Sequence, residues 1–516
     1  MKSLPELVEF AAKKYNSKIA IEEIEKKISF KDIYSESIKV AKYLKKNHLK
    51  NGDRVSIYMN KSINQVISII GVSLAGGVFV PILPNLKKDS LKHIIYHSGS
   101  KTIITDCKKL LEVRNINFKG NLLICDSNYK KKNKNNLFFQ ISNIINTSKL
   151  KKKIDYNSDA AIIYSSGSTG MPKGIVIPHK NFEFGARIVS KYLHTKKNDR
   201  IACVLSFNFD YGLNQLWQSL HLGCKLYLYE INFYQDFFKF CRDKKITVIP
   251  LMPVIISMLT ANNQKGKNFN IKYICTSGGS VSKKMITSLK RFFPNAKIYL
   301  MYGLTEAFRS SYLNPKKSLN KFFSIGKSIP SVKLNVIKKN FAECKVNEIG
   351  ELVHRGGCVA SRYWKDKSST KKRFRTISRF PNEITVFSGD LVKKDKSGDL
   401  IFVSRMDSMI KTMGFRVSPS EIENQAIKHK NIYQCVAFSE KDEVIGEKII
   451  LSYTSVNKKK IKVNQLKNFL TKKLSKHMMP KEIIYLKKFK VTGNQGKIDK
   501  NDVVDKSLKI IKNAHN

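Results

Sequence analysis

The chain has 516 residues and a mass of 59.1 kDa, too large for one compact core, so more than one domain is expected. Hydrophobic residues at 42 % and aromatics at 10 % exclude a disordered chain. Lys and Arg number 95 against 40 Asp and Glu, giving +55; this raises a nucleic-acid partner, but the lysines run along the whole length beside abundant Asn and Ile, with no aromatic-interleaved basic cluster, and read mainly as codon bias written onto solvated faces.

Residues 4–12 have helical periodicity, and Glu6, Glu9 and several lysines within them exclude a secretory signal. Ser29, with Asp32 three residues on, reads as the N-cap of a second helix through Tyr34 and Ala41. A strand is expected at 53–58, an apolar helix at 63–75 and a buried strand at 78–82. This alternation continues to about residue 300 and argues an α/β architecture. The Lys- and Asn-rich stretch 129–153 reads as an exposed loop ahead of a strand at 160–163. After Phe322 the texture changes to short strands with polar turns, one of them at 393–399. From Arg405 onward helices and strands alternate over roughly a hundred residues, enough for a small separate domain. No run approaches the ~18 apolar residues needed to span a bilayer. The nine scattered cysteines form no CxxC pair, which excludes a disulfide framework or a zinc spacing and points to a reducing cytoplasm.

The strongest chemical signal is Tyr164-Ser165-Ser166-Gly167-Ser168-Thr169-Gly170-Met171-Pro172-Lys173-Gly174. Small hydroxylic and glycine residues let backbone N–H groups approach phosphate oxygens, and Lys173 adds a positive charge. The spacing is not that of a Walker loop, and the segment lies between two expected strands rather than opening a helix. A flexible linker is the bland alternative; apolar strands on both sides disfavour it.

Further motifs follow in order: Ser277-Gly278-Gly279-Ser280, then Met301-Tyr302-Gly303-Leu304-Thr305-Glu306-Ala307, then Ser388-Gly389-Asp390, then Ser404-Arg405-Met406-Asp407 running through Lys411 to Gly414-Phe415-Arg416, and finally Gln495-Gly496-Lys497. Together they resemble the signature of the AMP-forming adenylate ligases, the superfamily of acyl-CoA synthetases, amino-acid adenylation domains and luciferase. The resemblance covers essentially the whole chain. It implies a large N-terminal α/β adenylation domain with a β-rich subdomain, residues 1–404, and a small mobile α+β domain, residues 405–516.

The resemblance also implies roles. Ser165 to Gly170 and Lys173 would hold the ATP phosphates. Ser277, Gly278, Gly279, Ser280, Tyr302 and Gly303 would face the adenine, with a core tyrosine as the bland reading of Tyr302. Asp390 and Arg405 would hold the ribose, since a carboxylate accepts two hydrogen bonds at once. Thr305 offers a hydroxyl to phosphate, and Glu306 is the hard-oxygen ligand for the Mg2+ that accompanies ATP. Lys497 would bridge the substrate carboxylate and the α-phosphate, placing positive charge where negative charge accumulates. Asp407 matches the hinge, Lys411 and Arg416 flank it, and Gly414 would let a pantetheine arm pass close to the backbone.

Phe209, Asp210, Tyr211 and Gln215 correspond to the wall of the acid pocket. The Phe209-Asp210 pair resembles that of amino-acid adenylation domains, whose aspartate meets the substrate ammonium. A buried unpaired carboxylate is costly, so Asp210 favours an amino acid or another small polar acid over a plain acyl chain. A structural role for Asp210, capping a helix that begins there, is the alternative. The thiol acceptor, coenzyme A or the phosphopantetheine of an acidic carrier protein, is expected in trans. A non-catalytic member of the fold is disfavoured by the presence of Lys497, Glu306 and Asp390.

Overall fold

The computed structural model describes residues 2–86, 88–125, 153–165, 172–231, 233–260, 269–279, 281–406, 410–412, 415–442, 446–474, 476–492 and 497–515. The chain falls into two compact units: 1–320 with 327–334 and 354–387, and 321–326 with 335–353 and 388–516.

In the first unit, local signals form the elements expected of them. The helix Leu4–Tyr15 has six buried positions on one face, and Ser29 caps Phe30–Lys46 by accepting a hydrogen bond from the Asp32 backbone N–H. The strand Arg54–Tyr58, the helix Ile63–Leu74 and the strand Val78–Ile82 follow, and the last two are buried almost throughout. Fully buried strands read as continuous apolar runs because both sheet faces are covered. The loop expected at 129–153 falls outside the described residues apart from Lys153.

Two sheets organise this unit. One has seven strands in the order Arg362–Tyr363, Lys173–Pro178, Asp159–Ser165, Val78–Ile82, Arg54–Tyr58, Thr102–Thr105, Asn121–Ile124. In the other, the strands Tyr273–Thr276 and Lys297–Tyr302 run parallel side by side, and Ser311–Leu313 pairs antiparallel with the second of them. A glycine-rich loop and an acidic turn therefore leave the carboxyl ends of adjacent parallel strands, where α/β sheets present their functional loops.

The second unit carries the antiparallel partnership of Phe380–Lys394 with Leu400–Arg405, in which Asp390 lies directly across from Arg405. It also holds a five-stranded sheet built on the long hairpin Ile432–Asp442 and Gly446–Ser455, with the helices Pro419–Ala426 and Val463–Thr471 and the helix Lys500–His515. Lys497 sits in a two-residue strand paired with Val491–Thr492. All nine cysteines are free and most are buried. Among the described residues no helix is long and apolar enough to cross a membrane.

Candidate active site

The hydroxyl- and glycine-rich loop joins two antiparallel strands whose last pair is Ser165 opposite Lys173. Ser166, Gly167, Ser168, Thr169 and Gly170 lie outside the described residues. The stems on both sides are tied to the helix Lys88–Ser98. His97 Nδ1 meets the Tyr164 hydroxyl at 2.8 Å, and His93 Nε2 meets the Pro172 carbonyl at 3.0 Å. Lys173 Nζ donates to Asp366 at 3.1 Å and to Ser369 Oγ at 2.6 Å, and lies 5.6 Å from the Tyr363 ring centre.

That ring connects the loop stem to the acidic turn. The Tyr363 hydroxyl donates to Glu306 Oε1 at 2.5 Å, and Arg373 Nε stands 3.9 Å from the same oxygen. Burial, with the Glu306 charge adding to it, pushes the Tyr363 hydroxyl well above its ordinary range, so it is held as a donor. The turn is set by backbone: Leu304 and Ala307 exchange two hydrogen bonds, and a Cβ on Gly303 would stand 2.5 Å from the Arg309 nitrogen. Only a residue without Cβ closes this turn and brings Thr305 and Glu306 to the strand end. Among the described residues both polar contacts of Glu306 fall on Oε1, leaving Oε2 uncommitted.

Tyr302 is half-buried and stacks on the His354 ring at 5.9 Å. His354 is fully buried, and burial pushes its pKa down to about 3, so the imidazole is neutral. Ser277 ends the neighbouring strand region and is buried, while Gly278 takes φ +87°, a left-handed conformation that favours glycine. Gly279 follows it; Ser280 lies outside the described residues.

The helix expected to wall the acid pocket runs Asp210–Leu222. Its N-cap is Phe209, with no side-chain cap, so Asp210 is the first helical residue, and its carboxylate accepts from the adjacent Tyr211 backbone N–H. A Cβ on Gly212 would fall 1.9 Å from the Ser206 carbonyl, which is what lets the helix start so abruptly. Asp210 keeps an accessible edge yet lies deep among protein atoms, and its pKa rises to about 6. Desolvation drives that rise and Glu306 adds to it; Arg309 and the Tyr211 backbone N–H oppose it. The Tyr211 hydroxyl donates to the Cys275 carbonyl at 2.7 Å, and Gln215 Nε2 donates to the Tyr211 carbonyl at 3.1 Å. Tyr211 and Gln215 line a small cavity with Arg309 and Cys275; Phe209 and Asp210 are not among its walls.

In the second unit Asp390 is 2 % exposed and pairs with Arg405, Nε to Oδ1 at 3.1 Å. The Gly389 N–H donates to Glu351 at 2.8 Å and the Asp390 N–H to Ser388 Oγ at 2.9 Å, which fixes the loop around the carboxylate. Asp407 and Gly414 lie outside the described residues, and Lys411, Arg416 and Lys497 are described in backbone alone.

The sequence model described as AMP-binding enzyme matches residues 8–364, well over half of the chain. The chain belongs to the AMP-binding enzyme family. The AMP-binding enzyme C-terminal domain matches residues 421–495. Gramicidin S synthase 1 of Brevibacillus brevis is 27 % identical over 514 residues, 98 % of this chain and 45 % of the relative, so the chain spans under half the length of that curated protein. The ATP-bound structure of MatB from Rhodopseudomonas palustris is 20 % identical, covers 98 % of this chain and 99 % of its own, and superposes with a TM-score of 0.86. MenE of Bacillus subtilis with ATP and a magnesium ion is 19 % identical, covers 96 % and 99 %, and has a TM-score of 0.81. At these identities the two structures establish the shared fold.

For this AMP-binding enzyme, sequence reading passed over Tyr363, Arg373, Asp366, Ser369, His354 and Arg309. Each touches a residue that a motif did single out, or lines the cavity beside Tyr211 and Gln215. Only Arg309 carried a local signal, three positions after Glu306.

Proposed function

We propose that this enzyme joins a carboxylic acid to the α-phosphate of ATP, releasing pyrophosphate, and then passes the acyl group to a phosphopantetheine thiol with release of AMP. The observation that carries the reading is the arrangement around Tyr363, where the loop-stem Lys173 faces the ring and the Glu306 carboxylate receives the hydroxyl. Bringing two anions together needs positioning and cations more than covalent chemistry. Lys173 supplies a cation at the loop that would hold the phosphates; its present partners Asp366 and Ser369 mark the position it leaves when phosphate replaces them.

Among the described residues no cluster of three metal-ligating side chains occurs, so a protein cage is not what this chain offers. It offers one carboxylate with a free oxygen, Glu306 Oε2, which fits Mg2+, an ion that takes one or two carboxylates and completes its shell with phosphate and water. When bound, Mg2+ would neutralise phosphate charge. Thr305 offers its hydroxyl on the same turn, Asp390 with Arg405 is suited to the ribose hydroxyls, and Lys497 to the reacting carboxylate and α-phosphate. Arg405 is the start of the domain that would turn between the two half-reactions, with Asp407 as pivot and Gly414, between Lys411 and Arg416, beside the thiol path.

The acid is read as an amino acid or another small polar acid. Asp210 is ionised above pH about 6 and has no ion-pair partner within 4 Å among the described residues, so an ammonium group would relieve its desolvation. The acceptor is coenzyme A or a carrier protein in trans. Carboxylate-dependent pyrophosphate exchange into ATP across amino acids, hydroxy acids and fatty acids tests the reading. Exchange confined to ammonium-bearing acids is expected. Exchange with fatty acids alone would refute the role of Asp210, and no exchange despite ATP binding would refute the ligase.

A further inference from the structure

Arg309 is 4 % exposed. Taking a guanidinium out of water is costly unless a carboxylate and further acceptors receive its N–H groups. Among the described residues no carboxylate oxygen lies within 4 Å of it. Its hydrogen-bond partners are the Met301 sulfur, 3.1 Å from Nη1, and the Tyr192 side chain, and its flat face rests 3.7 Å from the centre of the Tyr211 ring. A ring takes the face of a guanidinium and a sulfur is a weak acceptor. Among the described residues no carboxylate is bonded to its in-plane fork of five donors. The backbone at Arg309 is left-handed, φ +46°, a conformation that a side chain with a Cβ adopts at a cost. It follows directly from the tight turn that presents Glu306.

The cavity beside Arg309 is small, and Val189, Leu193, Ile201 and Val248 make much of its wall apolar. Gln215, 2 % exposed, lines it beside Gln218, Tyr211 and Tyr273. The amide of Gln215 cannot turn round, because Nε2 is committed to the Tyr211 carbonyl and a flip would set oxygen against oxygen; its Oε1 is left without a partner. An apolar acyl chain would satisfy neither group. The buried cation calls for an anion and the orphan acceptor for a donor such as an ammonium, so the two groups together suit a ligand that carries both.

We propose that the acid accepted here carries a second carboxylate on a short chain and that Arg309 receives it. The inference rests on the ligase reading and deepens it. Arg309 and Asp210 already attract each other without a direct ion pair among the described residues; a small acidic amino acid would set an ammonium against Asp210 and a carboxylate against Arg309, giving each a counter-ion in contact. The planar guanidinium suits a carboxylate in two parallel hydrogen bonds, a geometry that a lysine in its place would not reproduce.

The test is pyrophosphate exchange with matched pairs that differ only at the far end, aspartate with asparagine, glutamate with glutamine and succinate with succinamate, on the full chain and on Arg309→Gln and Arg309→Lys. The carboxylate member of at least one pair should be preferred by about 100-fold or more in kcat/KM. Arg309→Gln should collapse or invert that ratio, and Arg309→Lys should keep only part of it. A variant that is merely misfolded would lose both members of a pair in proportion and leave the ratio standing. Should Arg309→Gln not fold, the preference of the unaltered enzyme decides alone. Equal or better exchange with the neutral members would overturn the inference and leave the ligase reading intact. Absence of exchange with every acid would overturn both.

Discussion

Replacing Asp210 by asparagine keeps the side chain's shape and removes its charge. The carboxyl titrates at about 6 in the fold against an ordinary 3.8. Raising a pKa by one costs the ionised form about 1.36 kcal/mol, so above pH 6 the Asp210 carboxylate costs the native state about 2–3 kcal/mol. The sign follows from proton counting. Between about 3.8 and 6 the folded chain binds more protons at this group than the unfolded chain, so its contribution to stability falls as pH rises through that window and stays low above it. Asp210→Asn should therefore be more stable than the unaltered enzyme at pH 8, by up to about 2–3 kcal/mol, and the gap should close as pH falls toward 4. The Tyr211 backbone N–H and the Arg309 charge favour the ionised carboxylate and are already counted in the value of about 6, and no ion pair within 4 Å among the described residues adds to them. Thermal unfolding of both proteins across this range reads the difference. Exchange assays on the same samples should show ammonium-bearing acids losing kcat/KM by about 100-fold in the variant. In the unaltered enzyme kcat/KM for those acids should fall about tenfold per pH unit below 6. A variant less stable than the parent at pH 8 would refute the reasoning, because Asp210 would then be holding the fold rather than waiting for a ligand.

Three other perturbations probe the remaining parts. Tyr363→Phe removes the hydroxyl donated to Glu306 at 2.5 Å. A hydrogen bond to a charged group is worth about 1.5–3 kcal/mol, so exchange should slow by about ten- to a hundredfold with a changed Mg2+ dependence, and an unaltered Mg2+ midpoint would deny Tyr363 its positioning role. Lys497→Ala is expected to abolish adenylate formation while ATP binding, followed by nucleotide fluorescence, persists; retained adenylation would remove that lysine from the reaction. Gly414→Leu should spare exchange and stop thioester formation, since the pantetheine arm could no longer pass; equal loss of both half-reactions would argue against a thiol path at that position.

The sequence carried what local physics decides. Ser29 announced a helix start because its hydroxyl answers an N–H three residues away, and the apolar runs at 54–58 and 78–82 announced strands covered on both faces. The strand–loop–strand placement of the Ser and Gly loop was legible for the same reason, and the order of the motifs pointed to the family that the whole-domain match then established. At Asp210 the helix starts with Phe209 as its N-cap, and the carboxylate accepts the neighbouring Tyr211 backbone N–H.

Only the tertiary structure joined Lys173 to Asp366 across 193 residues and Glu306 to Tyr363 across 57. It alone buried Arg309 on the Tyr211 ring with no carboxylate within 4 Å, and left Gln215 Oε1 without a donor, among the described residues. Periodicity and capping report on neighbours a few residues apart, where backbone geometry fixes who meets whom. The charge balance of a pocket depends on desolvation and on partners brought in by other strands, so it exists only once the sheet is assembled.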